Sequence, residues 1–232
     1  AYELVIRDWS SNVCSSDLGF ISSEATVVAL ANLSLKKPNL VENIYTGSLL
    51  AVISMIISNL LISIIVDNTG VISLLMLPPY IFMGLVTVAF ILFGNRNMDV
   101  TSEKLEIGSP FALGPAFKFG AIFMFFMFIA NAGNNLAGPS GTYATAIGGI
   151  VSSSAVTASV AALAIKGSIS FQTAAETAVL AGIISTLTKP VYIKITGSRE
   201  LFDRSLLPFL IVVITGVLSL VMWAALKRGL LM

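Results

Sequence analysis

Residues 118–166 read "KFGAIFMFFMFIANAGNNLAGPSGTYATAIGGIVSSSAVTASVAALAIK", and how they are read decides the fold. Two lysines enclose 47 residues without a charge. About 20 helical residues cross the hydrocarbon core of a bilayer, so the window is long enough for two crossings. Its middle, "NAGNNLAGPSGT" (Asn131 to Thr142), is dense in Gly, Asn and Pro, which interrupt helices. Helices are therefore expected over 111–133 and 143–165.

Working outward, charge-free windows recur, and a charge at mid-bilayer costs at least about 2.5 kcal/mol. Glu42 to Asp67 encloses 24 uncharged residues, Asp67 to Arg96 encloses 28, and Arg204 to Lys227 encloses 22. The stretch 171–195 has a shorter apolar part between Glu176 and Lys189, two charges expected to snorkel to opposite interfaces. Counting "GFISSEATVVALANL" from Gly19 as a first crossing, the chain reads as all-α, a polytopic transmembrane helix bundle of six to seven membrane segments. Pro79 and Pro190 are expected to kink their helices. The membrane halves are 19–93 and 111–232, joined by a polar connector, 94–110.

Composition agrees. Hydrophobic residues make up 56% of the 232 and charged residues 11%, against about 25% charged in a soluble domain. The expected solvent is a lipid bilayer. Net charge is +1, too little for a nucleic-acid partner. With no histidine and one cysteine, Cys14, zinc sites, haem ligation by His and Cys or His catalysis are not expected. No cofactor is expected and no metal is assigned. Cys14 lies in "DWSSNVCSSDL" (Asp8 to Leu18), which differs at one position, Asn12 for Asp, from a translated sequencing adapter. Residues 1–18 are therefore expected to be non-native or truncated sequence and are set aside. Without them one Arg and three acids are lost, leaving +3.

Seven alternating crossings sort the basic residues. Lys36, Lys37, Arg96, Lys104, Lys166, Lys227 and Arg228 fall on one side, and Lys194, Arg199 and Arg204 on the other. The excess of Lys and Arg marks the cytoplasmic side, so the C-terminus is expected in the cytoplasm of a prokaryotic cell's inner or plasma membrane.

Two stretches repeat. "GFISSEATVVALANL" from Gly19 and "GIVSSSAVTASVAAL" from Gly149 share Gly-apolar-apolar-Ser-Ser-x-Ala. Four expected crossings separate them, which makes the repeat parallel; a re-entrant copy would reverse that. Gly149, Ser153, Thr157 and Ala161 lie at i, i+4, i+8 and i+12, a small-residue stripe that lets a neighbouring backbone approach. The first motif looks like the Gly-apolar-apolar-Ser-Ser-Thr-Ala-Thr-Thr motif of MgtC/SapB-like membrane proteins. "SPFALGPAFKFGAIF", "GTYATAIGGIVSSSAVTASVAAL" and "AETAVLAGIISTLTKPVYIKITGSRELFDRSLLPF" resemble the multi-pass domain of unknown function found C-terminal in such proteins. The resemblance covers Gly19 to the C-terminus. It implies a prokaryotic membrane protein linked to magnesium limitation and to regulation of other membrane proteins, without an established substrate. Related domains often carry Asp-x-Asp-Ala-x-Thr where this chain has Ser152-Ser153-Ser154-Ala155-Val156-Thr157, and loss of that acid pair weakens the transfer of a cation site to this helix.

The candidate polar site is Ser22, Ser23, Glu24, Thr26, Ser152, Ser153, Ser154 and Thr157 at the repeat interface, with Asn131, Asn134 and Asn135 at the break. Each has a plainer role: hydroxyls bonded to their own helix, Asn as caps, Glu24 near headgroups. Gly149 and Ala161 are expected to serve packing. No enzyme is expected: "GPSG" around Ser140 lacks a histidine base, and Asp67, Asp99 and Asp203 lie at loops or ends. Two functions stay open. One is movement of a small ion or solute across the membrane. The other is non-transporting regulation, with small-residue faces binding another membrane protein or a second copy.

Overall fold

The computed structural model describes residues 23–94 and 113–230; the run 8–18, Ser22 and residues 95–112 lie outside the described residues. The described elements are all helical: α1 (Ser23–Lys36), α2 (Val41–Val66), α3 (Val71–Gly94), α4 (Leu113–Ala137), α5 (Pro139–Ala144), α6 (Gly149–Ile165), α7 (Phe171–Thr196) and α8 (Arg199–Leu230). Short 3-10 turns, Pro38–Leu40 and Thr145–Gly148, precede α2 and α6. Five segments are long and apolar enough to cross a membrane: Pro38–Val66, Val71–Gly94, Pro139–Ile165, Phe171–Thr196 and Arg199–Trp223.

The burial pattern is that of a chain solvated by lipid. Along α2 the large apolar residues Leu50, Ile57, Leu61 and Ile64 are exposed, whereas Ser48, Asn59 and Ser63 are fully buried. Hydroxyls inside the bundle are returned to backbone carbonyls one turn earlier, as from Ser48 to Ile44, Thr87 to Met83 and Thr177 to Thr173. That satisfies polar groups that find no water in the bilayer.

Helix ends follow local chemistry. Asp67 accepts the N–H of Thr69 on Oδ1 and of Ile72 on Oδ2, both at 3.0 Å, and so anchors the start of α3. Ser170 accepts the Thr173 N–H and caps α7. Gly167, at φ 73°, ends α6, and the Ser168 N–H returns to the Leu163 carbonyl, a left-handed closure that glycine permits.

Contacts at the helix ends sort the termini into two sides. On the first side, where α1 ends and α2 begins, the Ser198 N–H bonds Ser34 Oγ at 2.9 Å and Arg204 pairs with Glu42. The α7–α8 junction therefore lies beside the α1–α2 junction. On the second side, Asn134 at the end of α4 donates to the Ser168 carbonyl at 2.8 Å, and Tyr143 of α5 donates to Glu176 of α7. The start of α5 and the end of α6 thus lie on one side. Segment 139–165 enters and returns there, turning back near Ser152, whose φ of −165° and ψ of 104° break the helix. It is a re-entrant V, not the crossing that its length had implied.

This reverses the expected orientation of the repeat. The internal likeness extends well beyond the two motifs. α2 and α7, 26 residues each, start and end 130 positions apart, and Pro78 of α3 stands 130 positions before Pro208 of α8. Yet α1 runs alongside α7 in the same direction, since Glu24 meets Ser185 and Ser34 meets Ser198. α6, joined to α7 by a short turn, runs opposite. The copies α1–α3 and α6–α8 are inverted, and the sequence reading as a parallel repeat failed because it counted the V as a full crossing.

Candidate functional site

Equivalent positions of the two halves meet in the centre of the bundle. In one half, α1 brings Glu24 to α7. Lys189 of α7 is fully buried. Its Nζ lies 3.9 Å from Glu24 Oε1 and donates to Ser185 Oγ at 2.9 Å and to the Ser185 carbonyl at 3.4 Å. The Ser185 hydroxyl in turn donates to Glu24 Oε1. Met55 Sδ of α2, 3.8 Å away, completes the surroundings of the ammonium.

In the other half the same positions are neutral. Ser154 stands for Glu24, Asn59 for Lys189 and Met55 for Ser185, each 130 positions apart. Ser154 donates to Asn59 Oδ1 at 3.0 Å, and Asn59 Nδ2 donates to Ser153 Oγ at 3.3 Å and to Tyr80 Oη at 3.0 Å. Tyr80 is buried and donates to the Ala178 carbonyl at 3.2 Å. One fold contact is thus made twice, once with a charged pair and once with an amide and a hydroxyl. The Lys189–Met55 contact joins the two.

The remaining candidates divide. Ser23 is buried beside Glu24, and Thr26 is partly buried on the same helix. Ser152 sits at the break and accepts the Ala155 N–H, which starts the descending arm of α6. Thr157 is buried and bonds the Ser153 carbonyl. Gly149, Ser153, Thr157 and Ala161 are all buried, and a Cβ at Gly149 would collide with the Ala181 carbonyl oxygen of α7. Gly149 is therefore packed on the chain's own α7, and Ser153 is bonded by Asn59 of α2. The asparagines do not join the centre. Asn131 and Asn135 are exposed, and Asn134 is spent on the Ser168 turn. They follow the end of α4 to the second side, whereas the break that reaches the centre is at Ser152. Lys189 was misplaced by the sequence reading, which put it at an interface. Continuing the repeat to position 189 would have set it over Asn59, a polar residue in mid-span.

The family described as "Domain of unknown function (DUF4010)" matches residues 18–197, which takes in both central clusters. The chain belongs to this family. An "Uncharacterized protein" of Aquifex aeolicus (strain VF5) is similar, 31% identical over 186 residues, covering 79% of this chain and 80% of that protein. No solved structure matches.

Proposed function

We propose that this DUF4010 chain is a membrane carrier that moves a small ion or solute past the Glu24–Lys189 pair. One observation carries the reading: a fully buried ammonium and its carboxylate lie where two inverted halves meet, beside a helix broken at Ser152. Ionisable groups inside a membrane bundle are costly and mark pathways. Inverted repeats with discontinuous helices at mid-membrane are the architecture of alternating access. The alternative, regulation through the small-residue stripe of α6, loses support because Gly149 packs on α7 and Ser153 is bonded by Asn59 of α2, both within the chain. The likeness of Gly19–Ala31 to MgtC/SapB-like proteins supports kinship with that group and supplies no cargo.

The membrane proposed is the prokaryotic cell membrane, with the first side cytoplasmic. That side holds Lys36, Lys37, Lys194, Arg199 and Arg204, against Lys166, Lys227 and Arg228 at the ends of α6 and α8. The C-terminal end of α8 then faces away from the cytoplasm, opposite to the orientation expected from seven crossings.

The test is uptake by liposomes holding the purified chain, across a panel of inorganic ions and small solutes. At least one is expected to be taken up, with uptake lost in Glu24→Gln. No uptake of any member would overturn the carrier reading.

A further inference from the structure

We infer that the Glu42–Arg204 ion pair locks the carrier on its first side, and that the centre is reached from the second side past the ring of Tyr80. The inference rests on the carrier reading and adds its direction of access. Where two inverted halves alternate, a contact that one half makes and the other lacks marks a difference between the two faces of the bundle. On α2, Tyr45, Ser48, Val52, Met55 and Asn59 follow one helix face from the first side to the centre. On α7, 130 positions on, the same face carries Ala175, Ala178, Gly182, Ser185 and Lys189. All of these residues are buried.

The first-side face is closed in depth. Its side chains are larger than those of α7, and at its outer end Arg204 of α8 pairs with Glu42 and lies over the Tyr45 ring, 5.6 Å from the centroid. Gly94, at the end of α3, approaches the same ring so closely that a Cβ there would come within 3.3 Å of it. The ring is thus held between α8 and α3. On the second side the equivalents of Glu42 and Arg204 are Gln172 and Leu74, both exposed and unable to form an ion pair. A crevice between α3, α7 and α8, walled by Leu75, Glu176 and Trp223, reaches Ala175 there. Beyond Ala175 the α7 face is small as far as Lys189, and Tyr80 lies across it. Tyr80 Oη donates to the Ala178 carbonyl at 3.2 Å, and a Cβ at Gly182 would stand 2.7 Å from that oxygen. The ring fills the space that the glycine leaves, and Asn59 donates to its hydroxyl at 3.0 Å. Leu210, the equivalent of Tyr80, is exposed and has no hydroxyl to tie α8 to α2.

The two barriers differ in depth. On the first side an ion pair and successive α2 side chains must part. On the second, two hydrogen bonds are given up and one ring turns aside. Cargo therefore enters from the second side, and opening toward the first requires Arg204 to leave Glu42.

Cysteine labelling tests this without a cargo. In the full chain with Cys14→Ser, Ala178→Cys reports on the second-side face and Ser48→Cys, at the equivalent position, on the first. Intact cells and inside-out vesicles meet a membrane-impermeant maleimide, with Lys166→Cys and Lys37→Cys identifying the sides. From the second side, Ala178→Cys should label slowly, and about fivefold faster in Tyr80→Ala. Tyr80→Phe, which keeps the ring and loses both bonds, should fall between, and it carries the test alone if Tyr80→Ala does not fold. From the first side, Ser48→Cys should label more slowly still. Glu42→Gln with Arg204→Leu installs the residues of the other half and should raise that rate about fivefold; Glu42→Gln alone serves if the double variant does not fold. Neither set of variants should raise the rate of the other reporter. Faster labelling of Ser48→Cys than of Ala178→Cys in the otherwise unaltered chain overturns the inference, as does an unchanged rate in either set of variants or a rise in both reporters at once. If the labels respond as expected and no solute of the panel moves, the carrier reading falls and the two closures stand. If a solute moves and the labels do not respond, the carrier reading stands and this inference falls.

Discussion

At the scale of single residues, the decisive pair is Glu24 and Lys189, because each is tolerable only through the other. Removing one partner of a buried pair leaves a stranded charge and costs about 3–5 kcal/mol. Lys189→Met or Glu24→Ala should therefore lower stability by about that amount. The double exchange Glu24→Ser with Lys189→Asn copies the bond that Ser154 makes to Asn59, so it should lie closer to the wild type than either single variant. Thermal unfolding in detergent, followed by circular dichroism, measures all three; penalties that simply add would mean the two charges are not coupled. Glu24 could be picked out in the sequence because an acid beside small residues is out of place in a membrane helix. Lys189 is hidden unless the repeat is carried through to it from Asn59, since a charge next to a proline looks like the end of a span. Its partner lies 165 positions earlier in the chain.

At the scale of elements, the helices were legible because two rules fix them: charges stay out of the bilayer and backbone groups must be bonded internally. The window from Glu42 to Asp67 became α2 almost residue for residue. What the rules could not decide is whether 27 apolar residues cross or turn back, since length and composition suit both. The turn lies at Ser152, inside the motif, and not at the Gly-Pro-Asn cluster, which is only the hairpin between α4 and α5. Asp67 shows how an element end carries a pH dependence. Burial pushes its carboxyl up, but the bonds it accepts from Ile72, Thr69 and Val71 outweigh this and hold it below the ordinary carboxylate range. A carboxyl depressed in the folded state stabilises above its unfolded value, about 3.9. That stabilisation drains away as the pH falls through the lower folded value. The wild type should thus lose stability on acidification below pH ~4, and Asp67→Asn should show a flatter profile. Melting curves recorded from pH 3 to 7 for both proteins test this; parallel profiles would assign the acid sensitivity elsewhere.

At the scale of the molecule, the inversion of the halves follows from contacts that sequence spacing does not encode, Ser34 with Ser198 and Glu42 with Arg204. An odd or even number of crossings between the copies gives opposite molecules from one string of residues. The repeat itself was readable in its two motifs, but its sense depended on a segment whose path is set by packing against α7. The inversion can be tested without knowing the cargo. Lys37, Lys166 and Glu200 are exposed, in or beside the turns at three helix ends. In a background with Cys14 replaced by serine, single cysteines at these positions should sort by side when intact cells meet a membrane-impermeant maleimide. Lys37→Cys and Glu200→Cys should behave alike, and Lys166→Cys oppositely. A parallel bundle of seven crossings requires instead that positions 37 and 166 react alike and 200 differ, so one labelling gel separates the two molecules. With the first side cytoplasmic, only Lys166→Cys should label before the cells are opened.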